Sequence, residues 1–303
     1  MLIESQVAFR SEGATLRAIF ITADPAKRSP LVVMAHGTSA TLQMVAIEYA
    51  RVFARAGLAA LIFDHRNFGL SDGLPRQEIN PWIQCRGYRD AVTFGLDLPA
   101  VDAERIALWG DSYSGGQVVM VSACDARPKV IVAQCPVFGA AVPTLTPSRH
   151  VMDKIQQILF SGDVSGTPAT TTGPLPVVSP SQLTSPSLLA PIQAFRWFVD
   201  WGGRPGSGWI NEVTRVIPAT TVTYNAYLCA PFVQAQVLLM VAPEDEMLHA
   251  NYGVARQAFD LMPTPKRWYD IQDGHFGLLY YPSSRFDEAS GVQADFLRTQ
   301  LAA

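Results

Sequence analysis

Cysteine is sparse and scattered: Cys85, Cys124, Cys135 and Cys229 form no CxxC pair and no zinc-ligand spacing. The sequence therefore predicts buried free thiols, with neither a disulfide framework nor a metal centre. Charge is also scarce, at 16% Asp, Glu, Lys and Arg with a formal net charge of -3. No basic face is on offer, so neither nucleic acid nor an anionic membrane is expected as a partner. Long apolar runs are missing as well. AGLAALIF at 56–63 falls far short of the roughly 20 residues that cross a bilayer. The opening residues MLIESQVAFRSEG show no basic segment followed by an apolar one, so no secretory signal and a cytoplasmic location are expected.

What the chain does have is apolar residues, 49% of 303, enough to bury a large core without staples. Short apolar runs alternate with amphipathic stretches. VAFRSEGATLRAIFITA (7–23) reads as a hairpin turning at Glu12-Gly13. LVVMA (31–35), LAALIF (58–63), RIALWG (105–110), VIVAQC (130–135), QVLLMV (236–241) and RWYDI (267–271) read as strands. Helical spacing of apolar residues marks 42–56, and Asn80-Pro81 is an N-cap followed by proline at the first helical position, opening a helix to about Leu98. Continuous apolar strands separated by helices predict an α/β protein with a mainly parallel central sheet covered on both faces.

That rhythm fails between about 139 and 230. The segment holds the Pro/Ser/Thr-rich SGDVSGTPATTTGPLPVVSPSQLTSPS and the aromatic FRWFVDWGGRPGSGW (195–209). A structureless loop of that length is unusual in a compact domain. The expected division is core at 1–138, an inserted cap at 139–230, and core again at 231–303. Within the cap, 161–190 is expected to be the looser outer part.

IALWGDSYSGGQVVM (106–120) joins a buried strand to a helix through a small-x-Ser-x-small turn, the pattern of a nucleophile elbow. Both Ser112 and Ser114 meet the spacing. Gly110 closes the apolar run and the nucleophile should follow directly, which selects Ser112. A serine nucleophile needs a base, and the chain has five histidines. His36 follows LVVMA, His65 lies in a Gly-rich loop, His150 falls in the cap, and His249 is placed at a helix start. In chains with this elbow the acid and then the histidine follow the serine, so His275 in DGHFG fits best. VAPEDEM supplies the acid: Asp245, with Glu244 as the alternative.

Together AHG (35–37), DHRNFGLSDG (64–73), GDSYSGG (110–116), VAPED (241–245) and DGHF (273–276) resemble the α/β-hydrolase superfamily over nearly the whole chain. The chain is similar to the dienelactone-hydrolase-like and acetyl-esterase-like bacterial hydrolases with a helical cap, where WINEVTR (209–215) also finds a likeness. Two positions depart from the usual pattern: Ser114 for glycine in GxSxG, and Asn67 for glycine in the DxRGxG loop. The resemblance implies an α/β-hydrolase fold with an inserted cap, a Ser112–His275–Asp245 triad and an oxyanion hole from the backbone N–H groups of Tyr113 and Thr38. It implies no metal or other cofactor. The expected reaction is cleavage of a carboxylic ester, or similar acyl bond, of a small and largely apolar substrate. C–C hydrolysis, thioester hydrolysis and small-peptide cleavage on the same triad are the alternatives, and a homodimer is allowed. Tyr113, Trp197, Trp209 and Phe276 are candidate pocket residues, though the aromatics could equally pack the cap. Asp64 and Arg66 are expected to pair beneath the site.

Overall fold

A computed structural model describes residues 1–164 and 169–302. The expected hairpin starts earlier than its pattern suggests: β1 (Ile3–Ser11) pairs antiparallel with β2 (Ala14–Thr22). Its tight turn needs positive φ at both central residues, and Glu12 and Gly13 take 46° and 75°. Next come β3 (Ser29–Ala35), α1 (Ala46–Arg55), β4 (Ala59–Phe63) and the two-residue β5 (Glu78–Ile79). The helix α2 (Pro81–Leu96) starts at its predicted cap, where the Asn80 side-chain oxygen accepts from the N–H groups of Trp82 and Ile83. β6 (Val101–Asp111) leads through one residue into α3 (Tyr113–Cys124), and β7 (Pro128–Gln134) follows.

Between β7 and the next strand of the main sheet lie α4 (Arg149–Ser161), β8 (Ala169–Leu175), α5 (Ile192–Gly202), β9 (Val213–Pro218) and a 3₁₀ helix (Ala226–Phe232). The chain then returns as β10 (Gln236–Val241), α6 (Tyr252–Leu261), β11 (Lys266–Asp270), the one-turn α7 (Gly274–Gly277) and α8 (Ser284–Leu301). His249 precedes α6 instead of starting it; Asn251 is the cap.

Among the described residues, eight strands form one sheet in the order β1-β2-β4-β3-β6-β7-β10-β11. The pairs β1/β2 and β2/β4 are antiparallel and the rest parallel. Alternate residues of the parallel strands enter opposite cores. Leu31, Val33 and Leu108 pack with Tyr88 of α2 and Val118 of α3, while Val32, Met34 and Trp109 pack with Phe53 of α1 and Leu297 of α8. Burial on both faces explains why these runs are continuously apolar. Each such aliphatic side chain contributes roughly 1.5–3 kcal/mol. No helix among the described residues is long and apolar enough to cross a membrane.

The segment after β7 holds more than the helices that the resemblance implies. β9 pairs antiparallel with β8 and parallel with β5, making a second sheet that borrows a strand from the first part of the chain. β8 lies inside the stretch expected to be loose. Its threonines suit an exposed edge strand because they are β-branched, while proline and glycine beside them mask the signal in the sequence. Residues 165–168 of that stretch lie outside the described residues.

Candidate active site

Ser112 is the single residue between β6 and α3, with φ 55° and ψ −116°, a conformation rare for a residue with a side chain. Backbone hydrogen bonds hold it there: its N–H donates to Gln134 O at 2.8 Å, and its carbonyl accepts from Val137 N at 3.0 Å and Gly116 N at 3.3 Å. Only a residue without a side chain fits at Gly110, where a Cβ would stand 2.2 Å from Ser114 O. Ser114 points away from solvent, with its hydroxyl 2.8 Å from His36 O, 3.0 Å from His65 Nε2 and 3.1 Å from Gln117 Oε1. Burial pushes the His65 pKa down to about 3. Its neutral ring can donate one N–H to Ser114, which donates onward. Geometry thus separates the two serines: one strained at the turn, the other tied up in a buried network.

His275 sits on α7, just past β11, and Asp245 lies in the turn after β10. His275 Nδ1 and Asp245 Oδ2 are 2.7 Å apart, with both side chains 2% exposed. Asp245 Oδ1 also accepts from Met247 N at 2.8 Å. Neighbouring Glu244 is exposed, whereas Glu246 accepts the backbone N–H of His275 at 2.8 Å. A Nδ1–H bonded to the carboxylate leaves Nε2 as the basic nitrogen. Burial opposes the charged form of His275, but Asp245, with Asp111 and Glu246, more than offsets it and holds the pKa above the ordinary histidine value. Cys135 joins this neighbourhood, its sulfur and the Asp245 and His275 ligand atoms lying within 4.8 Å of one another. Burial, then the nearby carboxylates, raise its pKa well above the usual thiol range, so it sits there as a neutral thiol.

On the other side of Ser112 the chain leaving β3 passes very close. A Cβ on Gly37 would stand 2.5 Å from Asp111 O and 2.7 Å from Ser112 Cβ, so glycine is required for the approach. His36 anchors this loop, its Nδ1 3.2 Å from Asp111 Oδ2 in a pair that is 2% exposed on both sides. The Thr38 N–H forms no hydrogen bond among the described residues. The Tyr113 N–H is one of the first-turn donors that a helix leaves without an internal acceptor.

The expected Asp64–Arg66 pair is corrected by the structure. Asp64 is buried and accepts from Leu42 N at 2.7 Å and Leu70 N at 2.9 Å, while Arg66 donates to Leu74 O at 3.3 Å. Burial lifts the Asp64 pKa to about 6, against the pull of those two N–H groups. Asp64 thus ties two loops together without a salt bridge to Arg66. Asn67, at glycine's usual place in the same loop, adopts φ 77°.

Ser112 borders two spaces. A cavity of about 20 Å³ is lined by Gly37, Ser112, Trp197, Phe198, His275 and Phe276, among others. Ser112 and His275 form no hydrogen bond with each other here, and such contacts often tighten only around a substrate. A pocket of about 390 Å³ opens on the other side, with Tyr113, Val137, Phe138, Leu188 and Tyr224 in its mostly apolar wall. Tyr113, Trp197 and Phe276 thus line spaces next to Ser112. Trp209 does not. It lies behind Phe198, with ring centroids 5.3 Å apart, and its Nε1 donates to Ser39 Oγ at 3.3 Å. Its large aromatic surface is satisfied by packing, which a count of tryptophans cannot distinguish from pocket lining. Sequence reasoning passed over Arg215, Glu246 and His249 as pocket residues, although all three border the larger space. For Arg215 the usable signal was the alternation Val213, Arg215, Ile217 on a strand that had not been recognised.

No family model matches the chain. It is 31% identical over 294 residues to the thiohydrolase aneE of Aspergillus aculeatus, a match covering 90% of this chain and 86% of that protein. Among solved structures, the α/β-hydrolase GrgF from a Penicillium species is similar with a TM-score of 0.74 at 22% identity, covering 99% of this chain and 100% of that one. A dienelactone hydrolase from Anabaena variabilis shares the fold with a TM-score of 0.56 at 14% identity, covering 97% and 96%. The chain belongs to the α/β-hydrolase superfamily, and it is a hydrolase.

Proposed function

We propose that the protein cleaves a thioester through an acyl-enzyme on Ser112. The observation that carries this reading is the strained Ser112 backbone, set between the His275–Asp245 hydrogen bond and the Gly37 loop. Ser112 Oγ attacks the acyl carbon while His275 Nε2 takes its proton, and Asp245 favours the resulting imidazolium. The negative charge that develops on the carbonyl oxygen is met by the N–H groups of Tyr113 and Thr38. Collapse breaks the C–S bond, and the proton on Nε2 leaves with the sulfur. Water then gives a proton to His275 and attacks the acyl carbon. Ser112 oxygen recovers that proton as the carboxylic acid departs. Residues 139–230 act as the cap that shapes the acyl site, supported by Trp197, Leu189 and Arg215 in the cavity walls.

Choosing a thioester rests on the likeness to a thiohydrolase. The same steps cleave a carboxylic ester, the expectation from the sequence, so the test compares the two. Rates on octanoyl-N-acetylcysteamine and p-nitrophenyl octanoate are each divided by the uncatalysed rate. The thioester should show the larger acceleration by about tenfold or more, a difference of about 1.4 kcal/mol in barrier. A larger acceleration of the ester overturns the thioester preference. Failure on both, with no fluorophosphonate adduct on Ser112, overturns the acyl-hydrolase reading itself.

A further inference from the structure

Arg215 stands on β9, the middle strand of the small sheet, in register with Ile79 on one side and Thr172 on the other. Pairing along both edges fixes its backbone, so the side chain is carried by a rigid element and not by a loop. It lines the pocket of about 390 Å³ that also holds Ser112, with its cross-strand neighbour Ile79 in the same wall. Among the described residues the Arg215 guanidinium forms no hydrogen bond and no ion pair, whereas Arg51, Arg86, Arg127 and Arg285 each meet a carboxylate. Glu246 is the carboxylate that shares this pocket, and it is already bonded to the His275 backbone. The positive charge of Arg215 acts on Tyr113 and His249; Tyr224 and Glu246 are the other titratable groups of the pocket wall. A half-buried, unpaired cation facing a mainly apolar space is set up for an anion that arrives with the substrate.

We infer that Arg215 binds an oxyanion carried by the thioester substrate, a carboxylate on the acyl chain or a phosphate on the thiol arm, while the scissile carbonyl lies at Ser112. The planar guanidinium offers paired N–H groups to either oxyanion, and such charge-assisted contacts gain strength where apolar walls exclude water. The pocket's volume accommodates a small acyl chain between the two points. This inference rests on the thioester reading for its substrates but not for its binding arm.

The test uses two matched pairs on the full-length protein. One sets N-acetylcysteamine half-thioesters of C4 to C10 diacids against neutral acyl thioesters of equal length. The other sets octanoyl phosphopantetheine against octanoyl pantetheine. The anionic member of one pair should be preferred in kcat/KM by roughly tenfold to a hundredfold, and the pair that shows it locates the charge. Arg215→Gln should bring that ratio close to one, and Arg215→Lys should keep part of it, which excludes a mere folding defect. Calorimetric binding of the same pairs to Ser112→Ala, with and without Arg215→Gln, needs no turnover and separates this inference from the hydrolysis reading. Ratios near one for both pairs, or a preference that survives Arg215→Gln, overturn it.

Discussion

The loops at the edge of the main sheet and the segment between β7 and β10 both border Ser112, but they are held in different ways. Ser112, Asp245 and His275 each follow a strand of the main sheet, and their positions are fixed by hydrogen bonds to adjacent strands and turns. The inserted segment is joined to the rest at separate points. Trp197 Nε1 donates to Leu279 O at 2.7 Å, Asn80 Nδ2 donates to Val164 O at 2.7 Å, and β9 pairs with the short β5. β8, at its outer edge, is mostly exposed. Under the proposed mechanism the difference divides the work: the groups that would meet the reacting carbon are fixed on the sheet, and the groups proposed to sort acyl chains come from the segment between β7 and β10.

If that division is right, the largest effects come from the sheet edge. Ser112→Ala should lower kcat by about 10⁶-fold, as for removal of a nucleophile that acts within a triad. Ser114→Ala should leave most of the activity. It removes a hydroxyl from the His36–His65–Gln117 network and should cost about 1–3 kcal/mol of stability. Kinetics and thermal melts of both variants decide it. A fluorophosphonate adduct mapped to Ser114 would reverse the assignment.

Asp245→Asn comes next, with kcat about 10⁴-fold lower, because the amide no longer holds His275 with Nδ1–H toward the acid. Glu244→Gln should be close to neutral, since Glu244 is exposed. The opposite order of effects would mean that the acid has been misplaced by one residue.

The same contrast governs what could be read from the sequence. The runs LVVMA, AALIF, IALWG and VLLMV in the central strands are continuously apolar because both faces are buried, and AHG, GDS and APED stand at the ends of three of them. The fold was legible for that reason, and the proposed site residues were named from the same strand ends. Choosing between Asp245 and Glu244 needed geometry, because adjacent residues after a strand carry no periodic mark. In the insertion the apolar pattern is split among two helices, two short strands, a 3₁₀ helix and several loops. β8 was hidden by Gly173 and Pro174, Trp209 looked no different from Trp197, and Arg215 passed unnoticed.

A pH profile sharpens the comparison at smaller magnitude. Below the His275 pKa the base is protonated, and kcat/KM should fall about tenfold per pH unit. Because the folded protein raises that pKa, the midpoint should lie above about 6.5, the value expected of an unperturbed histidine. The carboxylates responsible are Asp245, Asp111 and Glu246, all outside the insertion. Trp197→Ala should therefore leave the midpoint where it is. A midpoint below 6.5 in the unmodified protein would show that burial outweighs the carboxylates.

The smallest effect expected on catalysis divides the insertion itself. Trp197 is 1% exposed, lines the cavity beside Ser112 and carries the hydrogen bond to Leu279. Trp197→Ala should cost about 3–5 kcal/mol of stability through the space it vacates, and it should change the ranking of acyl chain lengths by enlarging the smaller cavity. Trp209 is half-buried behind Phe198 and borders neither space. Trp209→Ala should lower the melting temperature less and leave the ranking unchanged, because the pocket wall in front of it keeps its own side chains. Rates on acetyl, butyryl and octanoyl thioesters, each referred to the acetyl rate, separate selectivity from a general loss of folded enzyme. If Trp209→Ala reorders those ratios as strongly as Trp197→Ala, packing behind the wall shapes the pocket as much as contact with it. The insertion would then have to be treated as one cooperative unit instead of a wall with a support.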